Sequence, residues 1–307
     1  MKTSLEHLPE QKQRELSRIT EILFHEFEDS LKLTTSKWKK QGRILKIILF
    51  GSHARNDWIE SPQTNYISDY DILIVVSHKG LTDSDAYWRH AEDRFVREKI
   101  ANPDKPEVNF ILHTMAEIND GLVGGKPFFI NIINQGIILY EVNGHRFKAI
   151  TPLSPKIAYE VANEYYEEWF PYIQRRLETF SDQFNKGLND TGWRKDAAFT
   201  LHQAVEASYN CLLLVLTNHA PFTHNLNRLR SFSESLDARL VEAWPRYYKR
   251  HQTRFSKIKN AYIQARYSKH YQISMHDLEW VGKQVVQLQS LTKIICEEHL
   301  EKLKQQQ

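Results

Sequence analysis

With two cysteines, Cys211 and Cys296, in 307 residues, the chain can build neither a disulfide framework nor a cysteine-based zinc site. Glycine and proline are sparse as well, at 11 and 10, and apolar residues make up 41%; collagen-like, low-complexity and disordered classes are excluded. Long hydrophobic runs are missing. The longest, such as Ile44 to Phe50, have the length of a strand and fall far short of the ~20 residues that span a bilayer. The first eighteen residues lack the apolar stretch of a secretory signal. These absences predict a soluble cytoplasmic protein in a reducing environment, with no membrane partner. Net charge is also small, +3 at pH 7, and averaged over the chain it points to no nucleic acid.

What is present divides in two, as a prior of ~150 residues per domain leads one to expect. Residues 1–150 carry 20 basic against 21 acidic side chains, and the remainder 21 against 17. Eight of the glycines lie in the first half, between Gly42 and Gly144, where strand-length apolar runs (Ile44 to Phe50, Tyr66 to Val76, Val108 to Leu112, Gly136 to Val142) alternate with amphipathic segments. One of these, with Leu16, Ile19, Ile22, Leu23 and Phe27, has helical spacing; Ser84 to Ile100 is helix-compatible. Thr151-Pro152-Leu153-Ser154-Pro155 reads as a boundary. Beyond it helical periodicity takes over, and about five helices are expected in a bundle. The expected fold is α+β: a small mixed-sheet domain over 1–150 followed by an all-α bundle over 155–307.

Two segments of the first domain carry chemistry. Leu49-Phe50-Gly51-Ser52-His53-Ala54-Arg55 places a Gly-Ser turn at the end of an apolar strand and before a helix start. Backbone N–H groups, a hydroxyl and the nearby Arg55 could hold a phosphate there, although such a turn alone is common. Asp69 and Asp71 stand two apart at the start of the run Ile72 to Val76, so that both carboxylates face the same way. Two adjacent like charges call for a cation between them, and magnesium takes carboxylates together with substrate phosphates. The plainer reading is a solvated turn.

Together, Gly51-Ser52, Arg55 and Asp69-x-Asp71 resemble the signature of the DNA polymerase β-type nucleotidyltransferase superfamily, in particular its minimal nucleotidyltransferases. That resemblance implies that Gly51 and Ser52 bind the nucleotide, ATP foremost, and Arg55 would neutralise some of its phosphate charge. It implies that Asp69 and Asp71 are catalytic and hold Mg2+ in a two-metal site. The family adds a third carboxylate on a later strand. Here that strand offers Glu107 and Asn109 on one face, so an acid is missing if the place is that of Asn109.

The second half contains a run from Ala243 to His276 with no acidic residue, in which eight Lys and Arg are interleaved with tyrosines and histidines. Cations for phosphate and rings for stacking suit RNA or a nucleotide; a solvated helix face explains the run equally well. Phe199-x-Leu201-His202-Gln203-Ala204-x-Glu206, Pro221-x-x-His224-Asn225-Leu226 and Ala265-Arg266-Tyr267 resemble the HEPN domain. Ribonuclease members carry Arg, four to six residues, then His, which Arg246 and His251 match. In related toxin–antitoxin pairs AMP is placed on a tyrosine two residues after that His, where this chain has Thr253. His202 reads as a helix-interface residue and His224 as one that satisfies backbone donors or packs between helices.

The combined expectation is a magnesium-dependent nucleotidyltransferase coupled to a HEPN domain, with an RNA or protein acceptor met through 243–276 and a homodimer by resemblance. The alternatives are a non-catalytic nucleotide-binding module and a HEPN ribonuclease regulated by its transferase domain.

Overall fold

A computed structural model describes residues 1–32, 34–61, 66–102 and 104–307. Its contacts divide the chain into two units, Met1–Ser61 with Tyr66–Pro152, and Leu153–Gln307. The elements of the first run α1 (Glu10–Leu31), α2 (Lys37–Lys40), β1 (Ile44–Phe50), α3 (Gly51–Arg55), β2 (Glu60–Ser61), β3 (Tyr66–Ile67), β4 (Tyr70–Val76), α4 (Ser84–Tyr87), α5 (Arg89–Ala101), β5 (Val108–Thr114), α6 (Met115–Val123), α7 (Pro127–Gln135) and β6 (Ile137–Glu141).

β1 and β4 are near-continuous apolar runs because both faces of each are covered, and every residue of both is buried. The sheet order is β5-β4-β1-β6, with β1 antiparallel to β4 and β6, and β5 parallel to β4. A parallel pair needs a long crossover, which α4 and α5 supply. The stripe Leu16, Ile19, Leu23 and Phe27 of α1 enters the core, where Phe27 stacks on the fully buried Trp88 with ring centres 4.9 Å apart. Burying such side chains contributes ~1.5–3 kcal/mol each.

Two local features depart from the sequence reading. The run Tyr66 to Val76 is not one strand: the Ser68 N–H donates to the Ile59 carbonyl, and the Ser68 hydroxyl accepts from the Ile59 N–H, both at 2.8 Å. This pins the chain to Ile59 and leaves Asp69 just outside β4. The stretch 84–100 breaks at Trp88, whose indole N–H donates to the Leu81 carbonyl at 2.8 Å. The amphipathic segment between β5 and β6 divides into two helices, α6 and α7, and Thr114-x-x-Glu117 forms a full capping box at the start of α6.

The second unit consists of α8 (Pro155–Gly187), α9 (Thr191–Thr217), α10 (Leu226–Leu236), a short 3-10 helix over Ala238–Ala243, α11 (Lys249–Tyr267) and α12 (Met275–Gln305). The Ser154 hydroxyl caps α8 by accepting from the Ile157 N–H, and Pro155 occupies the first turn, where its missing N–H costs nothing. α9 is buried around most of its circumference and packs against α8, α10, α11 and α12. A helix apolar on all sides belongs at the centre of a bundle. Among the described residues no helix is long and apolar enough to cross a membrane.

Candidate functional site

β1 ends at Phe50, and the chain turns at Gly51 with φ +73°. Phe50 is the register partner of Asp71, and Asp71 that of Asn109. The Gly-Ser turn, an aspartate and the polar residue of the later strand therefore meet at one end of three adjacent strands. A Cβ on Gly51 would overlap the Asp71 carboxylate. Positive φ and this close approach both require glycine.

Asp71 is 2% exposed and Asp69 half-buried. Asn109, 5% exposed, donates from Nδ2 to Asp69 Oδ2 at 3.1 Å. The residue in register with Asp71 is thus an amide that orients Asp69. Glu107 stands before β5, where its carbonyl accepts the Tyr70 N–H at 2.8 Å. Among the described residues no three His, Cys, Asp or Glu side chains converge to hold a metal. Ser52 is half-buried in the first turn of α3, and Arg55 pairs with Asp57 at 2.9 Å. The oxygen-only donor set of Asp69 and Asp71, beside the buried Gly51 turn, fits a hard divalent cation completed by substrate phosphates.

The sequence reading assigned no role to His53. It is fully buried, and its Nδ1 lies 3.0 Å from the Asp69 carbonyl oxygen. A carbonyl only accepts, so Nδ1 carries the proton. The ring stacks parallel to Trp58, and its centre is 4.4 Å from that of Tyr70. His53 thereby ties α3 to the segment bearing Asp69. Burial, with the nearby Lys12 adding to it, pushes the imidazole down to about 3, against the opposing bond to Asp69. Since the unfolded chain takes up this proton below its ordinary value near 6.5 and the folded chain does not, the neutral His53 favours the fold above 6.5. That contribution is lost as the pH falls from there towards about 3. Denaturant titrations at pH 7 and pH 5 are expected to show a fall of about 2 kcal/mol from this group. A His53→Gln protein should lack that part of the fall; an equal fall in both proteins would refute the assignment.

In the helical unit, Arg246 donates from Nη2 to both carboxylate oxygens of the buried Glu234, at 2.8 and 2.6 Å. His251 instead stacks on Trp280, centres 4.6 Å apart, and burial beside Arg250 and Arg254 lowers its affinity for a proton. The two residues are held by different helices and different partners. Asp277 accepts from Arg254 and Lys257, at 2.8 Å each. The acid-free run is therefore partly neutralised by Glu234 and Asp277, which flank it in sequence. Lys249, Arg250 and Lys269 are exposed and have no carboxylate partner among the described residues. His202 is buried between α9 and α11, with Nδ1 3.0 Å from the Ile258 carbonyl oxygen. His224 sits before α10, but the cap is Asn225, whose side chain accepts from Asn227 and Arg228. His224 pairs with Glu206 at 3.0 Å.

No curated protein matches the chain. Among solved structures, a nucleotidyltransferase-like protein from Exiguobacterium sibiricum is similar at 11% identity over 91% of this chain and 80% of that one, with a TM-score of 0.26. Residues 166–302 match the family model of the HEPN domain. The helical bundle that follows the mixed-sheet unit in this chain is thus similar to the HEPN domain.

Proposed function

We propose that the first unit is a nucleotidyltransferase that binds a nucleoside triphosphate, ATP foremost, with Mg2+, and transfers AMP to an acceptor hydroxyl. The observation that carries this is the meeting of the Gly51-Ser52 turn with Asp71 and Asp69 at one end of β1 and β4. In this reading the backbone N–H groups of the turn hold phosphate oxygens, and Asp69 and Asp71 hold the cation. When bound, the cation neutralises charge building on the transferred phosphate and the leaving pyrophosphate. Asn109 fixes Asp69 by its hydrogen bond, and His53 fixes the backbone that carries it. The acceptor oxygen bonds to the α-phosphorus, the bond to pyrophosphate breaks, and the hydroxyl proton leaves to solvent or to a carboxylate.

The second reading, a nucleotide-binding module with little or no turnover, is favoured by Asn109, which cannot accept that proton. Coupling to a HEPN domain suits a toxin–antitoxin or defence setting. The exposed cations Lys249, Arg250 and Lys269 are the place where an RNA or protein acceptor would dock, and pairing of HEPN bundles would make a homodimer. The commitment of Arg246 to Glu234 weighs against Arg246 and His251 as a ribonuclease pair.

Pyrophosphate release from labelled ATP and ATP calorimetry, each with magnesium and with EDTA, test the proposal. Changing Asp69 and Asp71 together to Asn should abolish magnesium-dependent binding and release. Asn109→Asp should raise release at least tenfold if the transferase reading holds. Binding without release in both the natural protein and Asn109→Asp selects the second reading. Absence of magnesium-dependent binding for every nucleoside triphosphate would overturn both.

A further inference from the structure

The helical unit contains a pocket of about 490 Å³ that none of the chemistry above uses. That volume lies within the range of small-molecule sites. α8 contributes Trp169 and Tyr172 to its wall, α9 contributes Phe199, and α11 contributes Tyr262. Flat rings from three helices give a planar ligand surfaces to stack on.

Its charged groups are arranged unequally. Arg175 and Arg266 line the wall, and neither has a carboxylate partner among the described residues. Arg266 is held by rings instead. Its guanidinium lies 4.3 Å from the centre of Tyr262 and 4.9 Å from that of Phe199, and Nε donates to the Tyr262 carbonyl at 2.5 Å. A guanidinium positioned in this way keeps its remaining donors for a ligand.

The inward carboxylate, Glu206, is answered from within the protein. His224 Nδ1 lies 3.0 and 3.2 Å from its two oxygens, and the His224 ring stacks on Tyr262 at 4.2 Å. On its other side, His202 Nε2 lies 3.4 Å from Glu206 Oε2. His202 is fully buried, its Nδ1 is committed to the Ile258 carbonyl, and Nε2 has no hydrogen-bond partner, so the ring is aimed at the pocket wall. Two imidazoles thus attend one carboxylate, while two guanidinia on the same wall attend none. Glu168, the other acid of the lining, is exposed.

We infer that this pocket binds a planar aromatic anion, its ring stacked among Trp169, Tyr172 and Phe199 and its charged group held by Arg175 and Arg266. The anionic group is a phosphate or a carboxylate, both of which a guanidinium grips through paired N–H donors.

Calorimetry on the full chain, in EDTA so that magnesium-dependent nucleotide binding does not contribute, tests this with 1-naphthyl phosphate and 1-naphthoate beside their neutral counterparts 1-naphthol and 1-naphthamide. At least one anion is expected to bind saturably, one per chain and at least tenfold more tightly than its neutral counterpart; which one does identifies the group. Arg175→Gln and Arg266→Gln should each weaken it at least tenfold with an unchanged melting temperature, since both side chains are exposed. No saturable binding, equal affinity for the neutral compounds, or affinity unchanged in both variants would overturn the inference. This outcome is independent of whether ATP binds the first unit.

Discussion

Gly51→Ala is expected to lower the stability of the first unit by about 1–3 kcal/mol and to reduce magnesium-dependent ATP affinity at least tenfold. The two effects share a cause. At φ +73° a side chain is strained, and the added methyl would occupy the position of the Asp71 carboxylate. Asp71 is 2% exposed and lies in register between Phe50 and Asn109, so it has no room to retreat without disturbing β4. Calorimetry with magnesium and ATP, paired with thermal unfolding, measures both quantities. A protein with Ala at position 51 and full affinity would show that the turn does not touch the nucleotide.

The largest stability effect is expected at Glu234. Its side chain is 1% exposed and Arg246 opposite is 9% exposed, joined by two hydrogen bonds. Removing one member strands a buried charge, so Glu234→Ala should cost about 3–5 kcal/mol in urea titrations. Replacing both, Glu234→Leu with Arg246→Met, should recover most of that loss, because the pair's desolvation offsets its attraction. This cycle also separates structure from catalysis. If Arg246→Ala left stability intact while abolishing RNA cleavage, the residue would belong to a ribonuclease site rather than to the core.

The α+β architecture was legible because it rests on local patterns. Ile44–Phe50 was read as a strand and is one, since a run buried on both faces has no competing periodicity. The Pro152 to Pro155 segment carries the chemistry that starts α8, a serine cap followed by a proline in the first turn. The Asp69-x-Asp71 spacing was legible, but its division between a loop residue and a strand residue was not. That depends on Ser68 bonding to Ile59, a pairing no spacing rule anticipates.

The acid-free run from Ala243 to His276 shows the limit most clearly. Read along the chain it is a concentration of positive charge; in the bundle, Glu234 and Asp277 neutralise Arg246, Arg254 and Lys257. His224 likewise reads as a helix-start residue, whereas the fold carries it to Glu206 on a different helix. The sequence by itself determined a mixed-sheet region followed by helices, the strand Ile44–Phe50 and the residue types at the Gly51 turn. Only the tertiary structure decided which acids attend which cations, that Asn109 stands in register with Asp71, and that Arg175 and Arg266 share a pocket. Backbone propensity and hydrophobic period act over a few residues, while charge pairing and cavities are set by residues distant in the chain that packing brings within a few ångströms.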